Sequence, residues 1–161
     1  MIRGSFVVVA LILLAAVTAP AANAFDETSF PPEVRESLKY AHEECGEGGK
    51  VTFAPDTVRK LDLTGDGRPD YIVDFRDTEC AERASVYCGT GGCSMDILVT
   101  LPDGKIRTVF SARTRSYEIL PGKGVKSIRF ELHGSFCGRS GNPSCIKTRR
   151  ITAKPFEFKE P

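Results

Sequence analysis

The chain has 161 residues, with 22 basic and 21 acidic side chains and a formal net charge of +1. This near-neutral balance, without a recognisable binding motif, argues against a nucleic-acid-binding protein. The length suits one domain with a single hydrophobic core rather than two domains.

The first 24 residues have the pattern of a secretory signal peptide. Arg3 supplies positive charge, residues 6–17 are an uninterrupted apolar run, and Ala22-Asn23-Ala24 gives a small-residue cleavage site. The apolar run is shorter than the roughly 20 residues that cross a bilayer, which disfavours the alternative of an uncleaved anchor. We therefore predict that residues 1–24 are removed and that residues 25–161 form one periplasmic or secreted domain without a membrane span.

A short amphipathic helix is predicted over residues 33–45. The proline pair at 31–32 favours a helix start and the glycines at 46–49 favour its end. Three apolar residues recur at helical spacing and form one face: Val34, Leu38 and Ala41.

Short strands with turn signals between them are predicted for the rest of the chain. They cover residues 51–54, 58–61, 70–75, 95–101, 105–110, 117–120, 125–132, 146–153 and 156–158. One helix followed by many short strands predicts an α+β fold that is mostly β. Because the connections are short, we expect an antiparallel meander sheet or a partly closed barrel, with the helix at its N-terminus and disulfide bonds that cross-link it.

The loop before the third predicted strand carries oxygen ligands at alternate positions. Asp62, Thr64, Asp66 and Asp70 stand at its first, third, fifth and ninth positions, and the Arg68 carbonyl could contribute at the seventh. Calcium prefers six to eight oxygen ligands, so the spacing predicts a structural calcium site of weak affinity. The alternative is a tight turn in which the carboxylates accept hydrogen bonds from backbone amides.

The same loop resembles the calcium loops of FG-GAP and VCBS repeat proteins, whose pattern is Asp-x-Asp/Asn-x-Asp-Gly-x-x-Asp. The resemblance covers residues 61–75, including the aliphatic strand entry, and it implies calcium binding. Thr64 departs from the family's preferred acid or amide, and the loop occurs once in this chain.

The cysteines are expected to form disulfides, because an even number behind a signal peptide indicates an oxidising compartment. A zinc site is the weaker alternative, since no second pair of ligands has zinc-site spacing. A glycine-rich loop joins Cys88 to Cys93, and a loop of turn-forming residues joins Cys137 to Cys145. Each loop favours a local disulfide between the two cysteines that flank it. That pairing leaves Cys45 with Cys80.

Charge is distributed unevenly along the exported part. Residues 25–104 hold 17 acidic against 8 basic side chains, and residues 105–161 hold 13 basic against 4 acidic. A basic cluster in the second half could contact an anionic surface. The alternative, which involves no partner, is that strands of the two halves interleave in the fold and that their opposite charges neutralise one another. The cluster consists of Lys147, Arg149, Arg150 and Lys154.

Two functions remain open on this evidence. The favoured one is a non-catalytic binding or inhibitor-type module of the bacterial envelope, whose partner is an envelope protein or glycan. Its candidate binding residues lie in and near the Cys137–Cys145 loop: Arg139, Asn142, Arg149 and Arg150. The alternative is a small hydrolase that uses His133 with a carboxylate. In overall build the chain resembles small exported proteins of Gram-negative bacteria, and in size and compactness it is similar to periplasmic lysozyme inhibitors.

Overall fold

The computed structural model describes residues 25–84, 86–140 and 143–160. The predicted signal peptide, residues 1–24, lies outside these described residues. The single α-helix of the described part, α1, is Pro32–Cys45, and short 3-10 helices cover Glu27–Ser29 and Gly134–Cys137. The strands are β1 Val51–Thr52, β2 Val58–Leu61, β3 Asp70–Asp74, β4 Glu79–Cys80, β5 Cys88–Gly89, β6 Gly92–Thr100, β7 Ile106–Thr114, β8 Ser116–Leu120, β9 Ser127–His133 and β10 Ser144–Arg150.

Two larger antiparallel sheets and one small one contain these strands. The larger sheet runs in the order β2-β3-β6-β5, with β7 on the other side of β6. The second sheet is a meander in the order β10-β9-β8, and β1 pairs with β4 alone. The sheets are not closed into a barrel, so of the two predicted arrangements the antiparallel sheet is confirmed.

The five-stranded sheet is the central layer of the molecule. Alternate β3 side chains face opposite ways, as strand geometry requires. Tyr71 and Val73 belong to the core beneath α1, whereas Ile72 belongs to the core shared with the three-stranded sheet. Each face of the central sheet is therefore covered by a different element.

The C-terminal segment closes one end of the core between the two sheets. Residues 156–158, predicted as a strand, form no regular structure. Instead the Phe156 amide donates to the Val109 carbonyl at 2.8 Å, and the Phe156 ring stacks on Phe110 with centroids 5.0 Å apart. The aromatic residues that were predicted to form a strand therefore close one end of the core by ring packing.

The sequence prediction missed the two shortest strands that follow β3. β4 and β5 have two residues each, too few to show an alternating pattern. The pairing of β5 with β6 sets Cys88 opposite Cys93, and the pairing of β1 with β4 sets Cys80, which is bonded to Cys45, opposite Val51. Tertiary constraints therefore specify these strands more than local propensity does.

The two differently charged halves of the sequence interleave only partly. β7 joins the sheet of the acidic half through its pairing with β6. In contrast, β8, β9 and β10 all come from the basic half and form a sheet of their own. The predicted mutual neutralisation therefore applies to β7 and leaves much of the positive charge together on one side.

Candidate functional site

In the predicted calcium loop, Asp62 caps the backbone of its own turn. Its carboxylate accepts hydrogen bonds from the amides of Gly65 at 2.6 Å, Asp66 at 3.2 Å and Gly67 at 2.9 Å. These amides, Gly67 foremost, hold the pKa of the Asp62 carboxyl below its usual value. Both carboxylate oxygens are therefore engaged within the loop.

Asp70 organises the other side of the loop. It is fully buried, and its Oδ2 accepts from the amides of Leu63 at 2.8 Å and Thr64 at 2.9 Å, and from the Thr64 hydroxyl at 3.2 Å. Its Oδ1 accepts from the Thr100 amide at 2.9 Å. This one carboxylate joins the loop to the end of β6.

The loop also connects the two large sheets. Gly65 has φ +73, and a Cβ there would lie 2.3 Å from the carbonyl carbon of Gly124. Beside this close approach, the Lys126 amide donates to the Leu63 carbonyl at 2.7 Å. Because residues 124–126 lead into β9, the loop ties the three-stranded sheet to the central one.

The third carboxylate of the loop, that of Asp66, pairs with an arginine of the same loop. Asp66 accepts from the Arg68 amide at 2.9 Å and pairs with the Arg68 guanidinium. Within the described residues, the carboxylates of Asp62, Asp66 and Asp70 do not bring one oxygen each to within 4.8 Å of one another. The loop thus has the arrangement of the tight-turn alternative, and calcium binding there stays a prediction that requires the loop to rearrange.

Substitution of Asp66 tests the loop as a calcium site. We expect the Tm difference between excess calcium and excess chelator to be the same in wild type and Asp66→Asn, because the Asp66 carboxylate already pairs with Arg68. A selective ligand stabilises the folded state by mass action, so loss of a calcium-dependent shift in Asp66→Asn would instead establish the loop as the metal site. Thermal unfolding followed by circular dichroism supplies the measurement.

All three predicted disulfides are present. Cys45 bonds to Cys80, Cys88 to Cys93, and Cys137 to Cys145. The first bond ties the end of α1 to β4, and the other two close the glycine-rich loops, as the loop composition predicts. None of the six cysteines is a free thiol.

Arg115 joins the two short disulfide loops at one end of the molecule. Its Nε and Nη2 donate to the carbonyl of Thr90, inside the Cys88–Cys93 loop, at 3.3 and 3.1 Å. Its Nη1 donates to the hydroxyl of Ser144, beside Cys145, at 3.4 Å. Loops that are far apart in the sequence therefore form one surface.

Three further arginines surround Arg115. Arg76 Nη1 donates to the Arg115 carbonyl at 2.6 Å, and Arg139 Nη1 donates to the Ser144 carbonyl at 3.3 Å. The exposed Arg113 lies against Gly89 of the first disulfide loop. We call the surface formed by Arg76, Arg113, Arg115 and Arg139 the arginine face.

Of the predicted binding residues, only Arg139 lies on the arginine face. Arg149 and Arg150 lie at the opposite end of β10, where they pair with Ile128 and Ser127 of β9. The Arg149 guanidinium is also 5.9 Å from the ring centroids of Phe156 and Phe158, which gives it a packing role. Asn142 lies outside the described residues.

A carboxylate supports the arginine face from β9. Glu131 accepts from the hydroxyl of Ser116 at 2.6 Å and from that of Ser144. These two hydrogen bonds, the Ser116 bond foremost, lower the pKa of the Glu131 carboxyl. Glu131 therefore stays ionised and fixes Ser144, to which Arg115 is also bonded.

His133 and Ser135 contact each other beside the second disulfide loop. The separation of His133 Nδ1 from the Ser135 hydroxyl is 2.9 Å, and Nδ1 also accepts from the Ser135 amide at 3.3 Å. The Ser135 side chain returns to His133 because the strand gives way to a 3-10 helix at Gly134. In the described part of the chain, no carboxylate is hydrogen-bonded to His133.

Three of the four residues of the arginine face carry no local sequence signal. Arg76, Arg113 and Arg115 stand outside any motif. They meet because β3 and β7 both pair with β6, and because β7 leads directly into β8. Only Arg139 lies in a segment whose composition suggested a binding loop.

The chain matches no protein-family model, no curated protein and no solved structure. Among the helices in the described ranges, none is long and apolar enough to cross a membrane.

Proposed function

We propose that the protein is a non-catalytic binding module of the exported compartment, whose arginine face binds a partner that carries carboxylate or phosphate groups. The observation that supports this most is the convergence of guanidinium groups on two disulfide loops, with Arg115 bonded to both sides. The planar fork of arginine matches carboxylate and phosphate oxygens in a bidentate manner.

The scaffold beneath the face favours recognition with little ordering cost. Cys88 and Cys93 pair directly across β5 and β6, and the Cys137–Cys145 bond closes the second loop. Binding to side chains on a rigid support costs less conformational entropy than binding to a mobile loop. Disulfides are typical of oxidising, exported compartments, which agrees with an envelope partner such as an acidic protein or glycan.

Affinity capture from an extract of the exported fraction tests this proposal. The immobilised wild type should enrich an anionic protein or glycan, and the Arg113→Glu/Arg139→Glu variant should lose most of it. Both substituted residues are exposed, so the fold should tolerate the change.

A matched control is offered by Arg150→Glu/Lys154→Glu, which changes the net charge equally at exposed positions away from the arginine face. It leaves Arg149 on its phenylalanines and should retain the partner. Equal capture by all three proteins, or no enrichment by wild type, would refute the arginine face as the binding surface.

A hydrolase is the second candidate, and the contact between His133 and Ser135 is the observation that favours it. A nucleophile and a base within hydrogen-bond reach are the start of a catalytic arrangement. Among the described residues, no carboxylate is hydrogen-bonded to His133 to orient its ring. Its Nδ1 accepts a hydrogen bond from the Ser135 amide and so caps the 3-10 helix. Hydrolysis of an envelope substrate that His133→Ala abolishes, at unchanged Tm, would establish this candidate in place of the first.

A further inference from the structure

The outer edge of β7 is open over part of its length. One side of the strand pairs with β6. On the other side, the C-terminal segment meets its first half, where the Phe156 amide donates to the Val109 carbonyl at 2.8 Å. Residues 111–113, further along the strand, are exposed. We call residues 111–113 the open edge.

Strand pairing determines which backbone groups the open edge presents. The Ser94 carbonyl of β6 accepts a hydrogen bond from the segment that follows β3, so the Ser94 backbone points away from β7. Successive strand residues bond to alternate sides, so Met95 bonds toward β7, where it pairs with Ala112. Ser111 and Arg113, on either side of Ala112, therefore direct their amides and carbonyls to the open edge. In the described part of the chain, these backbone groups have no hydrogen-bond partner.

The open edge offers a further strand one position on β7. Unpaired amides and carbonyls at the edge of a sheet are a template on which another chain can pair. The C-terminal segment bounds the open edge at Val109. At the other end the Arg115 amide donates to the Glu131 carbonyl at 2.8 Å. An added strand would therefore pair opposite Ser111 and Arg113.

Positive charge adjoins the open edge. Arg113 belongs both to the open edge and to the arginine face, and it is exposed. Within the described residues, no hydrogen bond or ion pair engages its guanidinium. The planar guanidinium can form two parallel hydrogen bonds to one carboxylate. An unpaired backbone and a cation suited to a carboxylate thus lie side by side.

Acidic side chains also line the groove between α1 and β7, and two of them already have partners. Asp96 accepts from the Ser37 hydroxyl, and Glu36 pairs with Lys39 at 3.5 Å. Glu33 is exposed at the start of α1, the helix that packs on β3. The charge that the open edge itself offers to a ligand is therefore positive.

We propose that the open edge pairs with an extended, acidic segment of a partner protein, an assignment that rests on the anionic partner proposed for the arginine face. The segment adds to the central sheet as an antiparallel strand, the sense of every strand pair in the described residues. Side chains directly opposite each other in such a pair lie on the same face of the sheet. An acidic residue opposite Arg113 therefore meets its guanidinium, and the backbone hydrogen bonds favour a peptide over a glycan or a free phosphate.

Fluorescence anisotropy with a labelled synthetic peptide tests this assignment on the oxidised full chain. The probe is a short capped peptide of alternating glutamate and threonine. When its glutamates lie on the same face as Arg113, the glutamate amides point to β7 and the threonine amides point away. N-methylation of the glutamates should therefore weaken binding by about tenfold, the loss expected for backbone hydrogen bonds. N-methylation of the threonines should leave binding unchanged.

Two substitutions at Ser111 provide a matched test on the protein. Ser111→Pro removes the outward amide, a change that edge strands tolerate, and it should weaken binding of the unmodified peptide by about fivefold. Ser111→Ala keeps the amide and should bind as wild type does. Arg113→Gln should weaken binding by about tenfold, because it removes a charge-assisted contact. The methylated peptides test the wild-type protein whether or not Ser111→Pro folds.

No binding of the unmodified peptide, equal binding of the two methylated peptides, or full binding by Ser111→Pro at wild-type Tm would each overturn the assignment. Self-association that Ser111→Pro abolishes, without peptide binding, would assign the open edge to a second copy of the chain instead. Retention on an immobilised polyanion that depends on Arg113 and Arg139 would persist in all these cases. Failure of the peptide assignment is therefore distinguishable from failure of the arginine face as an anion-binding surface.

Discussion

Replacement of Asp70 by alanine is expected to lower the free energy of unfolding by about 3–4 kcal/mol, because one buried carboxylate satisfies donors from two separate segments. The substitution leaves the buried amide of Leu63 and the partly buried amide of Thr100 without their acceptor. The loop would also loosen its contact with residues 124–126, which holds the two sheets together. Urea denaturation followed by circular dichroism measures the change.

Asp66→Ala is the matched control within the same loop. Its side chain is 29% exposed, and its charged partner Arg68 can be solvated, so the expected cost is below about 1 kcal/mol. Equal costs for the two variants would show that Asp70 does not organise the loop. A larger loss of stability in Asp66→Ala than in Asp70→Ala would show that Asp66, rather than Asp70, organises the loop.

Removal of the Cys45–Cys80 bond has the second large expected effect. The bond closes a loop of 35 residues, and the chain-entropy relation gives a stabilisation of about 4 kcal/mol for that length. It also fixes the end of α1, whose buried face covers the central sheet. The Cys45→Ala/Cys80→Ala variant should therefore unfold at a much lower urea concentration than wild type.

The Cys88–Cys93 bond provides the comparison. It spans only 5 residues, for which the same relation gives about 2 kcal/mol. Cys88→Ala/Cys93→Ala should accordingly lose about half as much stability as the Cys45/Cys80 variant. The reverse order would show that strain or residual structure in the unfolded chain, rather than loop length, governs these bonds.

Local patterns were enough to predict the helix, the longer strands and the cysteine pairs. The helical spacing of Val34, Leu38 and Ala41 reports a buried face directly, and all three are fully buried. The local cysteine pairs follow from the flexible composition of the loops between them. In contrast, the pattern around Phe156 and Phe158 is compatible both with a strand and with an irregular segment whose rings pack on the core, because hydrophobicity alone does not specify backbone pairing.

The candidate site depended on contacts that no local pattern records. The residues of the arginine face are brought together by strand pairing, which a sequence without an alignment does not reveal. The calcium loop shows the opposite difficulty. Alternating oxygens suit a cation and a hydrogen-bonded turn equally well, and the direction of side chains such as Asp62 and Asp70 distinguishes them only in three dimensions.

Retention on an immobilised polyanion tests most directly whether the arginine face is the binding surface. The protein should elute from the column at a higher salt concentration than Arg113→Glu/Arg139→Glu, since fewer guanidinium contacts weaken the salt-sensitive attraction. The Arg150→Glu/Lys154→Glu protein carries the same net charge as that variant and should elute close to wild type. Equal elution of the two variants, or earlier elution of Arg150→Glu/Lys154→Glu, would contradict the assignment of binding to the arginine face.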